Sequence, residues 1–264
     1  MGSKSVIGGT AAVDTTAVRL EVSTAHKINA EFWNTAGGEF LGVTALPAYG
    51  AFLSEEKLQL LGDVNGKKVL EIGCGNGRSL KYLADRGASE LWGLDLSSAQ
   101  LEQARECLSS HGVTAELVCS AMERECGIPK AHFDIVCSIY AIGWTTDLDR
   151  TFKQVNAYLK KGGIFVFSWS HPMHKCTAPE NGRLAVVNSY FDESWYSVSA
   201  EQKELMLSNR KLSTYINALA ANGFLIEKLI EETDESMFSE SGTADFEKKA
   251  QMIPVSFVIK ARKL

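Results

Sequence analysis

The sequence predicts a single α/β domain built on a doubly wound parallel sheet. Three observations carry that prediction. Strand and helix patterns alternate in strict order from Lys68 to Trp169, a strand runs directly into three alternating glycines at Gly73, Gly75 and Gly77, and an acidic residue, Asp95, closes the following strand.

Residues 1 to about 22 are small, rich in Ala, Thr and Gly, and lack aromatics, so they are expected to form a flexible arm that adds little to a core. The remainder, 23–264, is expected to be one domain. Over 25–61 the pattern becomes helical, with Phe32, Trp33, Phe40, Leu41, Tyr49, Phe52 and Leu53 among Gly and polar residues, a stretch suited to capping a site. The core, 67–169, opens with an apolar strand from Lys68 to Ile72, a helix from Ser79 to Asp85 and a strand from Glu90 to Leu94. Ser97 fits the N-cap of a helix that puts Leu101, Ala104 and Leu108 on one face. Strands follow at Ala115 to Cys119 and Phe133 to Ser138. An amphipathic helix from Asp147 to Lys160, with Phe152, Val155 and Leu159 inward and Gly162 and Gly163 as its stop, then leads to a fifth strand from Ile164 to Trp169. Over 170–209 the rhythm breaks: Pro172, Pro179, Gly182 and the aromatics Tyr190, Phe191, Trp195 and Tyr196 mark a long, loop-rich insertion of the kind that usually carries function. The closing part, 210–264, resumes with a helix from Leu212 to Ala221 and strands at Phe224 to Ile230 and Pro254 to Ala261.

Composition sets the outer bounds. With 264 residues and 45% hydrophobic content the chain can bury a sizeable core, and a formal charge of -5 argues against a surface that coats nucleic acid. The six cysteines, at 74, 107, 119, 126, 137 and 176, form no C-x-x-C pair and fit reduced, mostly buried thiols. No run of 18 apolar residues and no signal peptide occurs, and Val6 stands where a myristoylation signal needs Ser or Thr. No membrane partner is expected, and the cytoplasm is the expected compartment.

The chemistry concentrates in Val69-Leu70-Glu71-Ile72-Gly73-Cys74-Gly75-Asn76-Gly77-Arg78. Glycines after a strand let the backbone turn sharply and let a ligand press against it. Asp95, at the end of the next strand, can accept hydrogen bonds from both hydroxyls of an adenosine ribose. Nicotinamide enzymes also pair glycines with an acid, but around a pyrophosphate and with G-x-G-x-x-G spacing. The spacing here is G-x-G-x-G preceded by Glu71, whose carboxylate would repel a pyrophosphate and suits a cationic amine such as the methionine end of S-adenosylmethionine.

Through VLEIGCGNG, LWGLDLS, FDIVCSIYAIGW and LKKGGIFVFSWSHP the chain resembles the class I, Rossmann-like methyltransferase family that uses S-adenosylmethionine, particularly its small-molecule branch. The resemblance runs from about Lys67 to Pro172 and returns weakly from Leu212 to Leu264. It implies a seven-stranded sheet whose last strand, Pro254 to Ala261, inserts antiparallel, with an N-terminal helical cap and an insertion after strand five. It also implies that Glu71, Gly73, Gly75 and Gly77 line the methionine moiety and that Asp95 holds the ribose. Leu96 and Met122 would sandwich adenine, Ala121 would offer it a backbone N–H, and Ser138 would lie under the cofactor. Cys74 in the loop and Trp33 from the cap complete the expected cofactor set.

For the methyl acceptor, Phe32, Trp33, Tyr140, Trp144, His171 and the cluster around Trp195 are the candidates, because they should converge where the sheet edge meets its lids. Aromatic faces suit a sulfonium charge and exclude water. Tyr140 and His171 are the catalytic candidates; His171 follows the fifth strand directly and could deprotonate a hydroxyl or amine. Its spacing from His174 suggests no metal site, since Pro172 breaks helical geometry and no carboxylates flank the pair. Ser138-Ile139-Tyr140-Ala141 lacks the N-P-P-Y pattern of nitrogen-methylating nucleic-acid enzymes, and no Pro-Cys pair supplies a nucleophile for pyrimidine C5. The expected activity is in-line methyl transfer to a small molecule. A cofactor-binding scaffold without turnover, or an enzyme acting on protein or RNA, are the alternatives; the sequence leaves the acceptor and the oligomeric state open.

Overall fold

The computed structural model describes residues 4–6, 12–17, 22–35, 45–180, 183–200, 203–238 and 245–264. At its centre lie seven strands: β1 (Lys68–Ile72), β2 (Glu90–Asp95), β3 (Glu116–Cys119), β4 (Phe133–Ser138), β5 (Leu159–Ser170), β6 (Phe224–Ile230) and β7 (Ser256–Lys263). Their order across the sheet is β6-β7-β5-β4-β1-β2-β3. Strands β1 to β5 run parallel, and β7 slots between β5 and β6 antiparallel to both. Strand order reverses between β1 and β4, so a crevice opens at their carboxyl ends.

Because β1 alternates, its two faces feed two cores. Leu70 and Ile72 pack with α4 (Leu148–Tyr158) and α5 (Leu212–Ala221) through Phe152, Val155, Tyr215 and Leu219. Val69 joins the other core, with α2 (Arg78–Ala84) and α3 (Ser98–Ser110) through Leu80, Leu83, Leu101 and Leu108. Each fully buried Leu or Phe here contributes roughly 1.5–3 kcal/mol. The Ser97 hydroxyl accepts from Gln100 N at 3.1 Å, which makes it the N-cap of α3 that the sequence predicts.

One boundary moves. The helix expected to reach Lys160 ends at Tyr158, and β5 begins at Leu159 in extended conformation, paired with Phe133. Leu159 is fully buried, so its inward side chain fits a strand start as well as a last helical turn, and periodicity could not separate the two.

The cap consists of one long helix, α1 (Val22–Trp33), and a single turn, Glu55–Leu58. Tyr49, Phe52 and Leu53 are buried; Phe40 and Leu41 lie outside the described residues. The insertion after β5, expected as loop, holds a one-turn helix (Pro172–Cys176), a hairpin (Thr177–Glu180 with Arg183–Val186) and a second hairpin (Trp195–Ala200 with Lys203–Ser208). That second hairpin pairs with the strand Ala12–Ala17, which in turn pairs with Lys4–Val6, so the stretch expected as a loose arm carries the rest of a four-stranded sheet. Asn29 of α1 clasps the lid: its Nδ2 donates to Met206 O at 2.9 Å and its Oδ1 accepts from Met206 N at 2.8 Å. Among the described residues no helix is long and apolar enough to cross a membrane.

Candidate active site

The loop after β1 is drawn over the end of β2 by two backbone bonds, since Gly73 N and Cys74 N both donate to Leu94 O, at 2.7 and 3.1 Å. Gly73 takes φ +72°, and a Cβ there would sit 2.3 Å from Ala141 Cβ, so only glycine fits. At Gly75 a Cβ would meet nothing nearer than Gln100 Oε1 at 3.7 Å, which leaves this backbone open to a ligand. Asp95 is fixed in turn: Oδ2 accepts from Gly75 N and Oδ1 from Ser97 N, both at 2.9 Å. Burial pushes its pKa up while those N–H donors oppose the shift. The carboxylate is thereby pre-aimed, with lone pairs to spare for a diol.

These residues border a crevice enclosing about 960 Å³ of empty space, part of it open to solvent. Of the expected set, Trp33, Gly73, Cys74, Gly75, Asp95, Leu96, Ala121, Met122 and Tyr140 line it, as does Trp144. Trp144 packs edge-on between Trp33 and Trp169, with ring centroids 5.3 and 5.8 Å away.

Four residues of the expected set lie outside the crevice lining. Glu71 does not reach the crevice; strand alternation turns it under the glycine loop, where it is 2% exposed and its Oε2 has no partner. Burial, with the nearby Asp95 charge and against a hydrogen bond from Ser79, raises its pKa to about 8. Gly77 faces α3, where a Cβ would meet Ala104 Cβ at 3.1 Å. Ser138 is fully buried, its Oγ unpartnered, and it stays beneath the cavity wall. His171 lies outside the cavity lining with both ring nitrogens engaged: Nδ1 accepts from Met173 N at 3.1 Å and Nε2 meets Glu231 Oε1 at 2.7 Å. It caps the helix Pro172–Cys176, and burial lowers its pKa, so in this arrangement the ring is held by the protein's own groups.

Tyr140 stands at φ +52°, a strained backbone for a residue with a side chain, directly after β4. Its N donates to Ser168 Oγ at 3.0 Å, and its ring tilts against Trp169 at 5.1 Å. Burial raises its pKa to about 12, opposed by a hydrogen bond to Ser170. The phenol thus keeps its proton near neutrality and can donate a hydrogen bond, but it is no base there.

Sequence reasoning missed His26, Asn29, Gln100, Ser120 and Glu123, all of which line the crevice. His26 Nε2 and the Thr146 hydroxyl both meet Glu123 Oε1, the former at 2.5 Å. Among the described residues no group of three or more His, Cys, Asp or Glu side chains converges as a metal site would require.

A doubly wound sheet whose glycine turn, Asp95, Leu96 and Met122 border one crevice at the strand ends defines a Rossmann-like site. Comparison with known proteins narrows the class. Residues 69–163 match the methyltransferase domain family. A solved structure from Listeria monocytogenes, assigned as an S-adenosylmethionine dependent methyltransferase, is 30% identical, covering 80% of this chain and 97% of that one with a TM-score of 0.65. The S-adenosylmethionine dependent methyltransferase from Mesorhizobium loti is 28% identical over 78% of this chain and 95% of its own, also with a TM-score of 0.65. A ubiquinone biosynthesis O-methyltransferase from Idiomarina loihiensis is 28% identical over 165 residues, 62% of this chain and 65% of its own length. The chain belongs to the S-adenosylmethionine-dependent methyltransferase family, and its cofactor is S-adenosylmethionine. The crevice fits that molecule: the backbone at Gly75 is open, and Asp95 stands beside it.

Proposed function

We propose that this enzyme methylates a small-molecule acceptor by in-line displacement. The observation that carries the reading is the Asn29–Met206 clasp, which joins cap helix to lid hairpin. α1 lines the crevice through His26, Asn29 and Trp33, and the lid hairpin packs on α1 from outside it. An acceptor space roofed in this way suits a metabolite better than a folded protein or an RNA track, and the net charge of -5 points the same way. The similarity to an O-methyltransferase of ubiquinone biosynthesis supports a small acceptor.

S-adenosylmethionine supplies an electrophilic methyl group on a positively charged sulfur. Asp95 would accept hydrogen bonds from the ribose hydroxyls, Leu96 and Met122 would flank the adenine, and the Ala121 N–H would serve its edge. Gly73, Cys74 and Gly75 shape the bed for the methionine part. The rings of Trp33, Tyr140 and Trp144 exclude water and favour the cationic centre. Alignment of acceptor atom, carbon and sulfur would then account for most of the acceleration, as one acceptor–carbon bond replaces one sulfur–carbon bond, the sulfur keeps the electron pair of the broken bond, and any proton on the acceptor atom passes to solvent water. Incubating the enzyme with methyl-labelled S-adenosylmethionine and a metabolite extract tests this. Label is expected in products below a protein-sized cut-off; label confined to protein or RNA overturns the reading.

A further inference from the structure

Among the described residues His26 is the one histidine that lines the crevice. It stands on α1 with Asn29 and Trp33, at i, i+3 and i+7, so a single helix face presents all three to the cavity. The glycine loop and Tyr140 border the same space.

The two nitrogens of the His26 ring have different surroundings. Nε2 lies 2.5 Å from Glu123 Oε1 and 3.1 Å from Thr146 Oγ1. The Thr146 hydroxyl donates its own proton to the same carboxylate oxygen. Both neighbours of Nε2 are therefore acceptors, and Nε2 carries the ring proton. Nδ1 is left as the basic nitrogen, buried and without a hydrogen-bond partner. His171 differs, since both its nitrogens are engaged and it stands outside the cavity lining. Anchoring α1 does not account for the bare nitrogen, because a glutamine amide would meet Glu123 equally well. A proton-accepting nitrogen, a tautomer fixed from the far side of the ring and a carboxylate to offset the charge that forms are the parts a general base needs.

We propose that His26 is the general base of the methyl transfer, acting through Nδ1, and that the accepting atom is a hydroxyl oxygen or an amine nitrogen. The proposal rests on the small-molecule reading above and adds the class of acceptor atom. As the acceptor seats against α1, its O–H or N–H donates to Nδ1. The acceptor's lone pair bonds the methyl carbon, the sulfur–carbon bond breaks with its electron pair left on sulfur, and the acceptor's proton passes to Nδ1. One positive charge leaves the sulfur as another forms on the ring, and Glu123 offsets it from the Nε2 side. The proton then leaves Nδ1 for solvent water.

The other titratable groups on the crevice wall are Cys74 in the glycine loop, Asp95 at the end of β2, Glu123 after β3 and Tyr140 after β4. Burial keeps the Cys74 thiol and the Tyr140 phenol protonated well above neutrality. Lys27 and Glu31 of α1 pair with each other at 3.9 Å on its exposed side. Imidazole is the side chain whose charge changes between about pH 5 and 8, so a rate lost on the acid side of that range reports a histidine.

The experiment incubates the enzyme with a metabolite extract and carbon-13 methyl-labelled S-adenosylmethionine across that range. Label is expected on oxygen or nitrogen of a low-mass product, read from the methyl carbon-13 shift, at a rate that falls towards acid. His26→Gln keeps a donor for Glu123 and has no basic nitrogen. It is expected to lower the rate about a hundredfold or more and to abolish the acid limb, with S-adenosylmethionine affinity by calorimetry as in the parent. Nitrogen-15 spectra of the imidazoles, compared with those of His26→Gln, should show a proton on Nε2 and none on Nδ1. Low-mass product formed by His26→Gln at the parent's rate, acid limb included, overturns the base and leaves the small-molecule reading intact. A proton on Nδ1 at neutral pH overturns the base as well. Where His26→Gln does not fold, the unmodified enzyme still decides: a rate without an acid limb, or a methyl on sulfur or carbon, sinks the proposal. No low-mass product from the unmodified enzyme removes both readings.

Discussion

His26 Nε2 lies 2.5 Å from Glu123 Oε1, and this contact pins the cap helix to the loop after β3 at the rim of the cofactor crevice. The Thr146 hydroxyl donates to the same carboxylate oxygen, so one side chain joins three separate segments. Glu123 is 5% exposed, and a buried hydrogen-bond partner left alone costs about 1–3 kcal/mol. Glu123→Ala is therefore expected to speed amide exchange in α1 and to raise the dissociation constant for S-adenosylmethionine about tenfold. Hydrogen-exchange mass spectrometry and calorimetry read the two effects, and wild-type behaviour in both would remove the anchoring role.

Asp95 does two jobs that substitution can separate. It accepts from Gly75 N and Ser97 N in the protein alone, and in the proposed binding mode it would also accept from the ribose hydroxyls. Asp95→Ala should weaken cofactor binding at least tenfold and lower stability by about 1–3 kcal/mol, since two backbone donors lose their acceptor. Asp95→Asn keeps one acceptor oxygen, so more of the stability should survive than of the affinity. Calorimetry and thermal unfolding check the pair; near-normal affinity in both variants would contradict the ribose assignment.

The core was legible because its signals are local. β1, its glycine turn and Asp95 stand in one strand–loop–helix–strand run, and residues supplied by such runs, namely Gly73, Cys74, Gly75, Leu96, Ala121 and Met122, do border the crevice. Glu71 and Ser138 are buried and lie outside the crevice lining, an outcome motif spacing does not reveal because neighbouring positions in a strand face opposite sides of the sheet. His26 and Asn29 carry no local mark, since their role depends on how α1 docks against segments about a hundred or more residues away. The lid hairpin escaped for the same reason: its partner strand, Ala12–Ala17, lies far away in sequence, and Leu205, Met206 and Leu207 are buried in succession, without the alternation that marks a one-sided strand.

Glu71 predicts a pH dependence of the protein without ligand. Its carboxyl holds a proton up to about pH 8 in the fold, against an ordinary value of 4.5. Between those values the folded chain binds a proton that the unfolded chain has released, so stability is greatest below about pH 4.5 for this group and falls as pH rises towards 8. One proton gives a slope of at most about 1.4 kcal/mol per pH unit. Glu71→Gln removes the group's titration, and urea unfolding across this window should show a shallower decline than in the parent. Parallel curves would mean that Glu71 is already ionised in the fold.

His171 predicts a separation of stability from catalysis. Its Nδ1 caps the helix Pro172–Cys176, its Nε2 meets Glu231, and its backbone N donates to Val255 O at 3.0 Å, so it joins β5 to the segment ahead of β7. Asparagine at this position can still accept from Met173 N but cannot reach Glu231. His171→Asn should therefore cost about 1–3 kcal/mol of stability and leave S-adenosylmethionine affinity and the pH profile of methyl transfer as they were, measured below the unfolding temperature. A general base behaves differently: its loss lowers kcat and removes the acid limb of the pH–rate profile. Disappearance of that limb in His171→Asn, with the fold intact, would return His171 to the reaction and require the lid to open far enough to bring it to the acceptor.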